Sequence, residues 1–417
     1  MTPRRLAATF GVLVLGDVLA KLLGLFAYAA LGRRLGGETH GAYGALEAAM
    51  AAVFIASLCV EGGLAPYGAR LVGAEPGSAR RLLARIGLLR LGYVVVAAAG
   101  LGAYVLIAKP PAAVATLIGW YALTLVPYAL YAEWLFQGRN EPWWVTPPQV
   151  GRNLFLWIAA IGFIHGPEDA WLAPVADGAG FLAGVLVQQL VARRSVGRPD
   201  FTPPLALLGL AGASFPILVS GLAFVFRIFY PMVLAGDVAD ASVSDAYGAA
   251  HRLFVSIHAV VPLFCINLLP TWARAWAAGD RRSFFRSTGA AVALFIVAAA
   301  AAVVFAFSDA PRVTLDLVYA DRFSSGDLAL AWLALAVGLL GLSAVPRFAF
   351  IAIGRPRLDT ASNLCGAATV ALLSVYGDFW IGSQPEAFAH LVIAGEAVAG
   401  LVAWLAALFA FRRRKVH

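Results

Sequence analysis

The sequence predicts an all-α, polytopic membrane protein whose twelve transmembrane helices form two six-helix lobes. Three observations indicate this: an apolar composition, a succession of long apolar runs, and a segment that recurs 204 residues later. Of the 417 residues, 61% are hydrophobic and only 13% are charged, a balance that soluble domains do not show. Because a lipid-exposed backbone must satisfy its own hydrogen bonds and strand-like alternation is absent, we expect these runs to be helices.

Twelve apolar runs are candidate spans, since a helix needs about 20 residues to cross the hydrocarbon. They cover residues 7–31, 42–65, 86–107, 112–136, 150–165, 171–192, 205–235, 246–270, 287–308, 327–353, 360–382 and 386–411. The fifth is the least typical, because it is short and begins with Arg152 and Asn153. The first run is as long as the others and no small-residue processing site follows it, so we expect it to remain as a helix.

Basic residues are distributed unevenly over the segments between the spans. With the N-terminus inside, 20 Lys and Arg residues lie in cytoplasmic segments and 5 lie in the opposite ones. Because cytoplasmic segments collect Lys and Arg, both termini are predicted to be cytoplasmic. This topology also accounts for the net charge of +8, so nucleic acid is not an expected partner.

An internal repeat indicates how the spans are grouped. Sliding the chain by 204 residues places the sequence AYGA at 42–45 on AYGA at 246–249, and 9 of the 33 positions from 42 to 74 are then identical. This pattern predicts a tandem duplication of a six-helix unit in one orientation, with lobes at 1–192 and 205–417 and a cytoplasmic linker at 193–204. Two such lobes predict a midplane cleft and alternating access, the architecture of a secondary transporter, without naming a cargo.

Signatures of catalysis and of bound cofactors are absent from the sequence. Cys59, Cys265 and Cys365 lie in apolar runs without metal-like spacing, so we interpret them as packing residues. The chain has no phosphate loop, no metal-spaced cluster and no nucleophile turn. We therefore expect a transporter rather than an enzyme, without a cofactor, that uses the gradient of a coupling ion (H⁺ or Na⁺) or of the cargo itself.

Six basic residues remain inside the predicted spans, where an ionisable group costs about 2.5 to 3.5 kcal/mol unless it has a wet cavity or a partner. They are Lys21, Arg90, Arg152, Arg227, Arg252 and Arg347. Arg90 and Arg152 lie near cytoplasmic helix ends, where a long side chain can snorkel. Cations from both halves predict an anionic cargo in a central cavity, and the planar fork of Arg suits phosphate.

Acidic groups near these cations are candidates for ion coupling. Asp17 lies one helical turn before Lys21, so the two either form an internal ion pair or line the cleft with Lys21 facing an anion. Glu47 lies a turn or more below the outer surface and is a candidate to carry a proton. The 204-residue offset places His251 at the equivalent position in the second half. The predicted coupling residues are therefore Asp17, Glu47 and His251.

Two stretches resemble a known family. The sequence AKLLGLFAYAALGRRLGGETHGAYGALEAA at 20–49 is similar to the opening of the bacterial polysaccharide-unit flippases in the multidrug/oligosaccharidyl-lipid/polysaccharide (MOP) exporter superfamily. It has their basic residue in helix 1, their Arg-x-Leu-Gly turn and their Gly-x-Tyr-Gly entry into helix 2. The sequence EWLFQGRNEPWWV at 133–145 is similar to the Trp-x-x-Gln-Gly-x-x-Glu segment that ends helix 4 in that family.

The resemblance implies a MOP/MATE-like fold and a carrier that moves an undecaprenyl-diphosphate-linked oligosaccharide across the bacterial inner membrane. Lys21 corresponds to the family's basic helix 1 position, which the resemblance implies meets the diphosphate. The expected partners are the lipid-linked oligosaccharide, membrane lipids, a glycan polymerase and glycosyltransferases, and the expected state is a monomer. The other cations inside spans match no family motif and are predicted from their position in apolar runs alone. The predicted substrate-binding residues are therefore Lys21, Arg227, Arg252, Arg347 and Arg152.

Other functions stay open at this point. An ion-coupled drug extruder of the same superfamily is expected to have acidic, aromatic cavities, which the mid-span cations argue against. Exporters of a lipid-linked peptidoglycan precursor generally have two further helices. A membrane glycan polymerase or ligase usually has a long periplasmic loop, and the longest here is about 308–327. A scaffold would leave the charges inside the spans unexplained.

Overall fold

The computed structural model describes residues 3–36, 41–139, 141–200, 206–376 and 384–412. Helices, turns and bends account for the regular structure of these residues, and none of them lies in a strand. The α-helices are α1 Pro3–Leu35, α2 Ala42–Glu61, α3 Leu64–Ala74, α4 Ala79–Ala108, α5 Ala112–Ala122, α6 Leu125–Leu130, α7 Glu133–Gly138, α8 Thr146–Gly162, α9 Leu172–Val196, α10 Ala206–Val238, α11 Ala241–His258, α12 Val260–Ala277, α13 Arg281–Ala306, α14 Ala310–Tyr319, α15 Asp327–Ala352, α16 Pro356–Tyr376 and α17 Pro385–Arg412. The predicted all-α membrane fold is confirmed.

Nine helical segments within the described ranges are long and apolar enough to cross a membrane. They coincide with all of the predicted spans except the first, fifth and eighth. The helices that hold those three are α1, α8 and the pair α11 and α12, and α8 has only 17 residues. The predicted count of twelve is therefore not confirmed in full.

The second predicted span is two helices rather than one. It bends after Glu61, where Gly62 and Gly63 both have left-handed backbones with φ of 63° and 65°. A Cβ at Gly62 would lie 2.4 Å from the Tyr93 ring, and one at Gly63 would lie 2.7 Å from the Ser214 carbonyl oxygen. Only glycine combines this φ with such close neighbours, so α2 ends here and α3 begins.

Proline explains two further breaks in predicted spans. Pro127 has no N–H to donate to the carbonyl of Leu123. The fourth predicted span is interrupted at Leu123, between α5 and α6. Pro262 likewise lacks the donor for His258, the last residue of α11. The eighth span therefore divides into α11 and α12.

Two segments between predicted spans, 236–245 and 309–327, are largely helical. α10 continues to Val238 and α11 begins at Ala241, which leaves little of the 236–245 loop. The segment 309–327 contains α14, which has Pro311 in its first turn and is followed by Ala320, whose φ is 56°. Proline suits the first turn of a helix, and a left-handed residue ends one.

The chain divides into two compact units, which are defined here by their residues. Unit 1 comprises Met1–Gly36 and Ala48–Gly221, and unit 2 comprises Gly37–Glu47 and Leu222–His417. The boundaries thus fall within α2 and α10. In unit 1, α8 packs against both α1 and α9, and in unit 2, α15 packs against α13 and α17.

Each unit has its own apolar core. In unit 1 the core includes Trp134 and Phe136, which belong to the family-like segment at 133–145. In unit 2 it includes Trp272, Phe284 and Phe295. Since these aromatic residues bury large side chains, they hold the helices that carry the charged groups in place.

Candidate functional site

The two copies of the AYGA sequence meet inside unit 2. A Cβ added to Gly44 in α2 would lie 2.4 Å from the hydroxyl oxygen of Ser244 in α11. A Cβ added to Gly248 would lie 3.3 Å from Cγ of Glu47 and 3.6 Å from Cα of Gly44. Glycine at these equivalent positions lets the first turn of α2 approach the α11 backbone.

A buried carboxylate caps the start of α2. The backbone N–H of Gly44 donates to Oδ1 of Asp245 over 2.6 Å, and Asp245 is 1% exposed. The first N–H groups of a helix lack partners within the helix, and its N-terminus favours negative charge, so this contact stabilises the α2 terminus. Beside it, Tyr43 packs against Tyr319 and Phe323. Burial raises the pKa of Tyr319, which keeps its phenol protonated.

The predicted coupling residue Glu47 is paired with the predicted cargo residue Arg252. Nε and Nη2 of Arg252 donate to the two carboxylate oxygens of Glu47 over 2.9 and 2.7 Å. The Glu47 side chain is 0% exposed and that of Arg252 is 11% exposed. This two-bond fork geometry is the strong form of an Arg and carboxylate pair. The sequence offset aligned Glu47 with His251, and it did not predict the pairing with Arg252.

His251 lies among aromatic rings. Its Nε2 lies 3.0 Å from the carbonyl oxygen of Ile228, an acceptor that requires a proton on Nε2. Its ring contacts Tyr247, Phe229 and Phe254 at centroid distances of 5.7, 5.4 and 5.9 Å. Nδ1 is buried and has no hydrogen-bond partner among the described atoms. This arrangement suits a neutral imidazole that is protonated on Nε2 and whose Nδ1 has no hydrogen-bond partner among the described atoms.

Arg227 on α10 is fully enclosed by side chains from α16 and α17. It donates from Nε and Nη2 to Glu396 over 2.7 and 3.2 Å, and from Nη1 to Oδ1 of Asn363 over 2.6 Å. Both Arg227 and Glu396 are 0% exposed. The complete set of partners explains how a charged pair can remain in the interior.

Arg347 forms a second ion pair beside the first. It donates from Nε to Asp359 over 2.9 Å, and Asn363 donates to the same Asp359 oxygen over 3.2 Å. Phe224 lies under both guanidinium groups, 5.0 Å from Arg227 and 5.2 Å from Arg347. Two cations and two carboxylates thus form one buried, charge-balanced network in unit 2.

Among its described residues, unit 1 contains a single ion pair of this kind, at Arg152. Its Nε lies 2.5 Å from Oδ1 of Asp177, and the side chains are 20% and 1% exposed. The next residue, Asn153, donates to the carbonyl of Ala20 in α1 over 2.7 Å. The polar start of the fifth predicted span is therefore where α8 contacts α1 and α9.

The side of α1 near Lys21 is partly packed against other helices. Gly24 packs on Asn153, and the buried Tyr28 hydroxyl donates to the Met50 sulfur over 3.1 Å. Lys21 precedes Gly24 in α1, and its side chain is half-buried. The side chain of Asp17 lies outside the described residues, so the predicted pairing of Asp17 with Lys21 stays a prediction.

The snorkelling that we expected for Arg90 is wrong. Arg90 is 1% exposed, and its Nη1 donates to the carbonyl of Tyr131 over 2.6 Å. The carbonyl is available because Tyr131 follows α6 with an extended backbone, at ψ of 117°. The break after α6 thus leaves the Tyr131 carbonyl available to Arg90, whereas in a continuous helix that carbonyl would accept a backbone N–H.

The arrangement separates the predicted cations by accessibility. Arg152 and Arg252 keep 20% and 11% of their side chains exposed, whereas Arg227 and Arg347 keep 0% and 6%. Each of the four has a carboxylate partner, so none is a bare positive charge. The sequence analysis did not identify Asp177, Glu396, Asp359 or Asn363 as partners of these cations.

Comparisons with known proteins identify the fold and the family. The structure is similar to the lipid II flippase MurJ in an inward closed conformation, with a TM-score of 0.66, 15% identity, and coverage of 96% of this chain and 87% of that one. It is also similar to an inward-facing multidrug resistance MATE transporter of the MOP superfamily, with a TM-score of 0.63, 14% identity, and 95% and 96% coverage. A MATE transporter of Vibrio cholerae matches with a TM-score of 0.56, 16% identity, and 99% and 97% coverage.

At these identities the structural likeness shows the fold alone, which this chain shares with MurJ and with MATE transporters. A sequence comparison with curated proteins finds no significant match. The sequence profile of one family, described as polysaccharide biosynthesis protein, matches residues 6–276, well over half of the chain. This protein therefore belongs to the polysaccharide biosynthesis protein family.

Proposed function

We propose that this protein is a flippase that moves an undecaprenyl-diphosphate-linked oligosaccharide from the inner to the outer leaflet of the bacterial inner membrane. The family match over residues 6–276 is the observation that carries the proposal. The fold shared with a lipid II flippase supports it. A diphosphate and sugar head needs polar and cationic groups inside the membrane, whereas the prenyl tail can stay in lipid.

We propose that the carrier works by alternating access. Its lobes are residues 1–192 and 205–417, with 193–204 as a cytoplasmic linker. The repeat at an offset of 204 residues supports this division, since parallel repeats are typical of such carriers. Both termini are placed in the cytoplasm by the distribution of Lys and Arg. The carrier acts as a monomer beside a glycan polymerase and glycosyltransferases.

We assign the first contacts with the diphosphate to Lys21, Arg152 and Arg252. Lys21 is half-buried, and the other two keep 20% and 11% of their side chains exposed. We place Arg227 and Arg347 behind them, as cations that act through their buried network. Arg is suited to this role because it can donate to a carboxylate and a phosphate oxygen from different edges of its planar group.

We propose Glu47 as the coupling residue. Its two-bond pair with Arg252 is lost when the carboxyl takes a proton, which makes the guanidinium available to a phosphate. Ion binding and cargo binding at this pair are therefore thermodynamically linked. His251 and Asp17 are the further coupling candidates. In vesicles, an imposed H⁺ or Na⁺ gradient should change the transport rate of the wild type and leave that of Glu47→Gln unchanged; a wild type indifferent to both gradients removes this role.

The function is tested with the full chain in liposomes that contain a fluorescent polyprenyl-diphosphate oligosaccharide. The reporter is the fraction of the glycan that a membrane-impermeant lectin reaches, compared with protein-free liposomes. We expect the protein to increase this fraction, and Lys21→Ala with Arg252→Ala to abolish the increase. An unchanged lectin-accessible fraction with well-folded protein would refute the flippase.

Export of a cationic drug is the second candidate, because the fold is shared with MATE transporters. The sequence argued against a drug exporter because cations lie inside the predicted spans. In the structure four of these cations are paired with carboxylates, which weakens that argument. The same liposomes loaded with a fluorescent quaternary ammonium compound separate the two functions. Uptake of that compound without glycan transfer would favour the exporter.

A further inference from the structure

An apolar groove lies between α13, α15 and α17 of unit 2. Its volume is about 610 Å³. The residues that define it are Phe285, Gly289 and Val292 of α13, Pro346 of α15, and Trp404 and Leu408 of α17. We call it the α13/α15/α17 groove.

The groove is open and apolar. Phe285, Trp404 and Leu408 are 49%, 38% and 52% exposed. A Cβ added to Gly289 would meet no atom within 4 Å, so the space over α13 is vacant. The one hydroxyl on its wall, that of Thr288, already donates to the carbonyl of Phe284 over 2.9 Å. Such a surface suits a hydrocarbon chain rather than a polar ligand.

Two cations lie near one end of this groove. Arg282 and Arg286 come three residues before Phe285 and Gly289, near the start of α13. Neither lines the groove itself, but each has a long side chain that can reach its edge. Both are exposed, and no carboxylate of the described residues lies within ion-pair distance of either.

The other charged groups at the start of α13 are occupied. Asp280 accepts from the backbone N–H of Ser283 over 2.9 Å and so caps the helix. Arg281 stacks on the Trp276 ring at 3.4 Å and donates to its carbonyl. Among the described residues at the start of α13, the charge that remains available is therefore that of Arg282 and Arg286.

We propose that the α13/α15/α17 groove binds one acyl chain of an anionic phospholipid, whose phosphate contacts Arg282 and Arg286. Basic pockets between helices on the cytoplasmic side of a membrane protein are suited to anionic lipid headgroups. The distribution of Lys and Arg places the start of α13 on that side. The stretch from Phe285 to Val292 spans about 10 Å along the helix, enough for part of a single chain.

The test measures lipid retention rather than transport, so it is independent of the proposed function. Purified full-length protein is equilibrated with mixed micelles of phosphatidylglycerol and phosphatidylcholine, and bound lipid is counted by native mass spectrometry. We expect the wild type to retain one phosphatidylglycerol in preference to phosphatidylcholine. Arg282→Gln with Arg286→Gln should lower that preference about tenfold.

A second variant tests the groove itself. Gly289→Leu places a side chain in the vacant space and should lower retention by a similar factor while keeping the melting temperature. The matched controls lie in unit 1: Arg194→Gln with Arg198→Gln removes the same charge, and Gly212→Leu adds the same side chain where no atom lies within 4 Å. Both controls should bind lipid as the wild type does.

Three results would overturn the proposal. The first is equal retention of the two phospholipids by the wild type. The second is unchanged retention in the Arg282→Gln/Arg286→Gln and Gly289→Leu variants. The third is displacement of phosphatidylglycerol by a polyprenyl phosphate at lower concentration, which would assign the groove to the tail of the cargo instead.

Discussion

Gly44 and Gly248, which occupy equivalent positions in the two copies of the repeat, lie directly against each other in unit 2. The Cβ that Gly248 lacks would be 3.6 Å from the Cα of Gly44. The glycines of the repeated sequence therefore let α2 and α11 pack closely together. Glu47 and Arg252 lie one turn further along the same two helices and pair across them.

The close approach predicts unequal effects of two alanine substitutions. Gly44→Ala should be strongly destabilising, because its Cβ would lie 2.6 Å from a backbone carbon of Ser244, which cannot rotate away. Gly248→Ala should cost less, since its nearest neighbour is a Glu47 side-chain carbon at 3.3 Å. Melting temperatures in detergent measure both. Gly221→Ala, with no atom within 4 Å, is the control, and a helical Gly to Ala change there should gain about 0.5 to 1 kcal/mol.

The pair of Glu47 and Arg252 predicts which partner is costlier to remove. Arg252→Gln leaves a carboxylate that is 0% exposed without its cation, whereas Glu47→Gln leaves an Arg that is 11% exposed and can reach solvent. Arg252→Gln should therefore lower the unfolding free energy more, by about 3 to 5 kcal/mol. Chemical denaturation of the two single variants measures the difference, and a greater loss in Glu47→Gln would contradict this account.

The network around Arg227 predicts a recovery in a double variant. Arg227→Met or Glu396→Gln alone leaves a buried, unpaired group and should cost about 3 to 5 kcal/mol. Arg227→Met combined with Glu396→Met removes both charges and should regain most of that loss. The stability of the three variants is measured by thermal unfolding. If the double variant lost as much stability as the two single variants together, the prediction would be contradicted. Glycan transport by the stable double variant then shows whether these charges also serve the cargo.

The assignment of the cargo contacts predicts graded losses of transport. Lys21→Ala should abolish glycan transfer, and Lys21→Arg should retain part of it, because a cation remains at the same depth. Arg194→Ala, which removes an exposed cation at the end of α9, should transport as the wild type does. The liposome lectin assay reports all three, and full activity of Lys21→Ala would remove this residue from the site.

Several properties of this protein follow from the sequence alone. Composition and the length of the apolar runs determine an all-helical membrane protein, since a helix satisfies its backbone hydrogen bonds within its own segment. Pro127, Pro262 and the pair Gly62 and Gly63 mark breaks in predicted spans, although we drew those spans as continuous. Proline and glycine act on the backbone locally, so these breaks could in principle be predicted from the sequence.

Other properties depended on the tertiary structure. The sequence showed that Arg227, Arg252 and Arg347 need partners, but it did not say which acids provide them. Arg252 finds Glu47 at a separation of 205 residues, and Arg227 finds Glu396 at 169 residues. The position of a charged residue in an apolar run shows that burying it costs desolvation free energy. Which group offsets that cost depends on how the helices pack. That choice decides which cations remain partly exposed to a ligand.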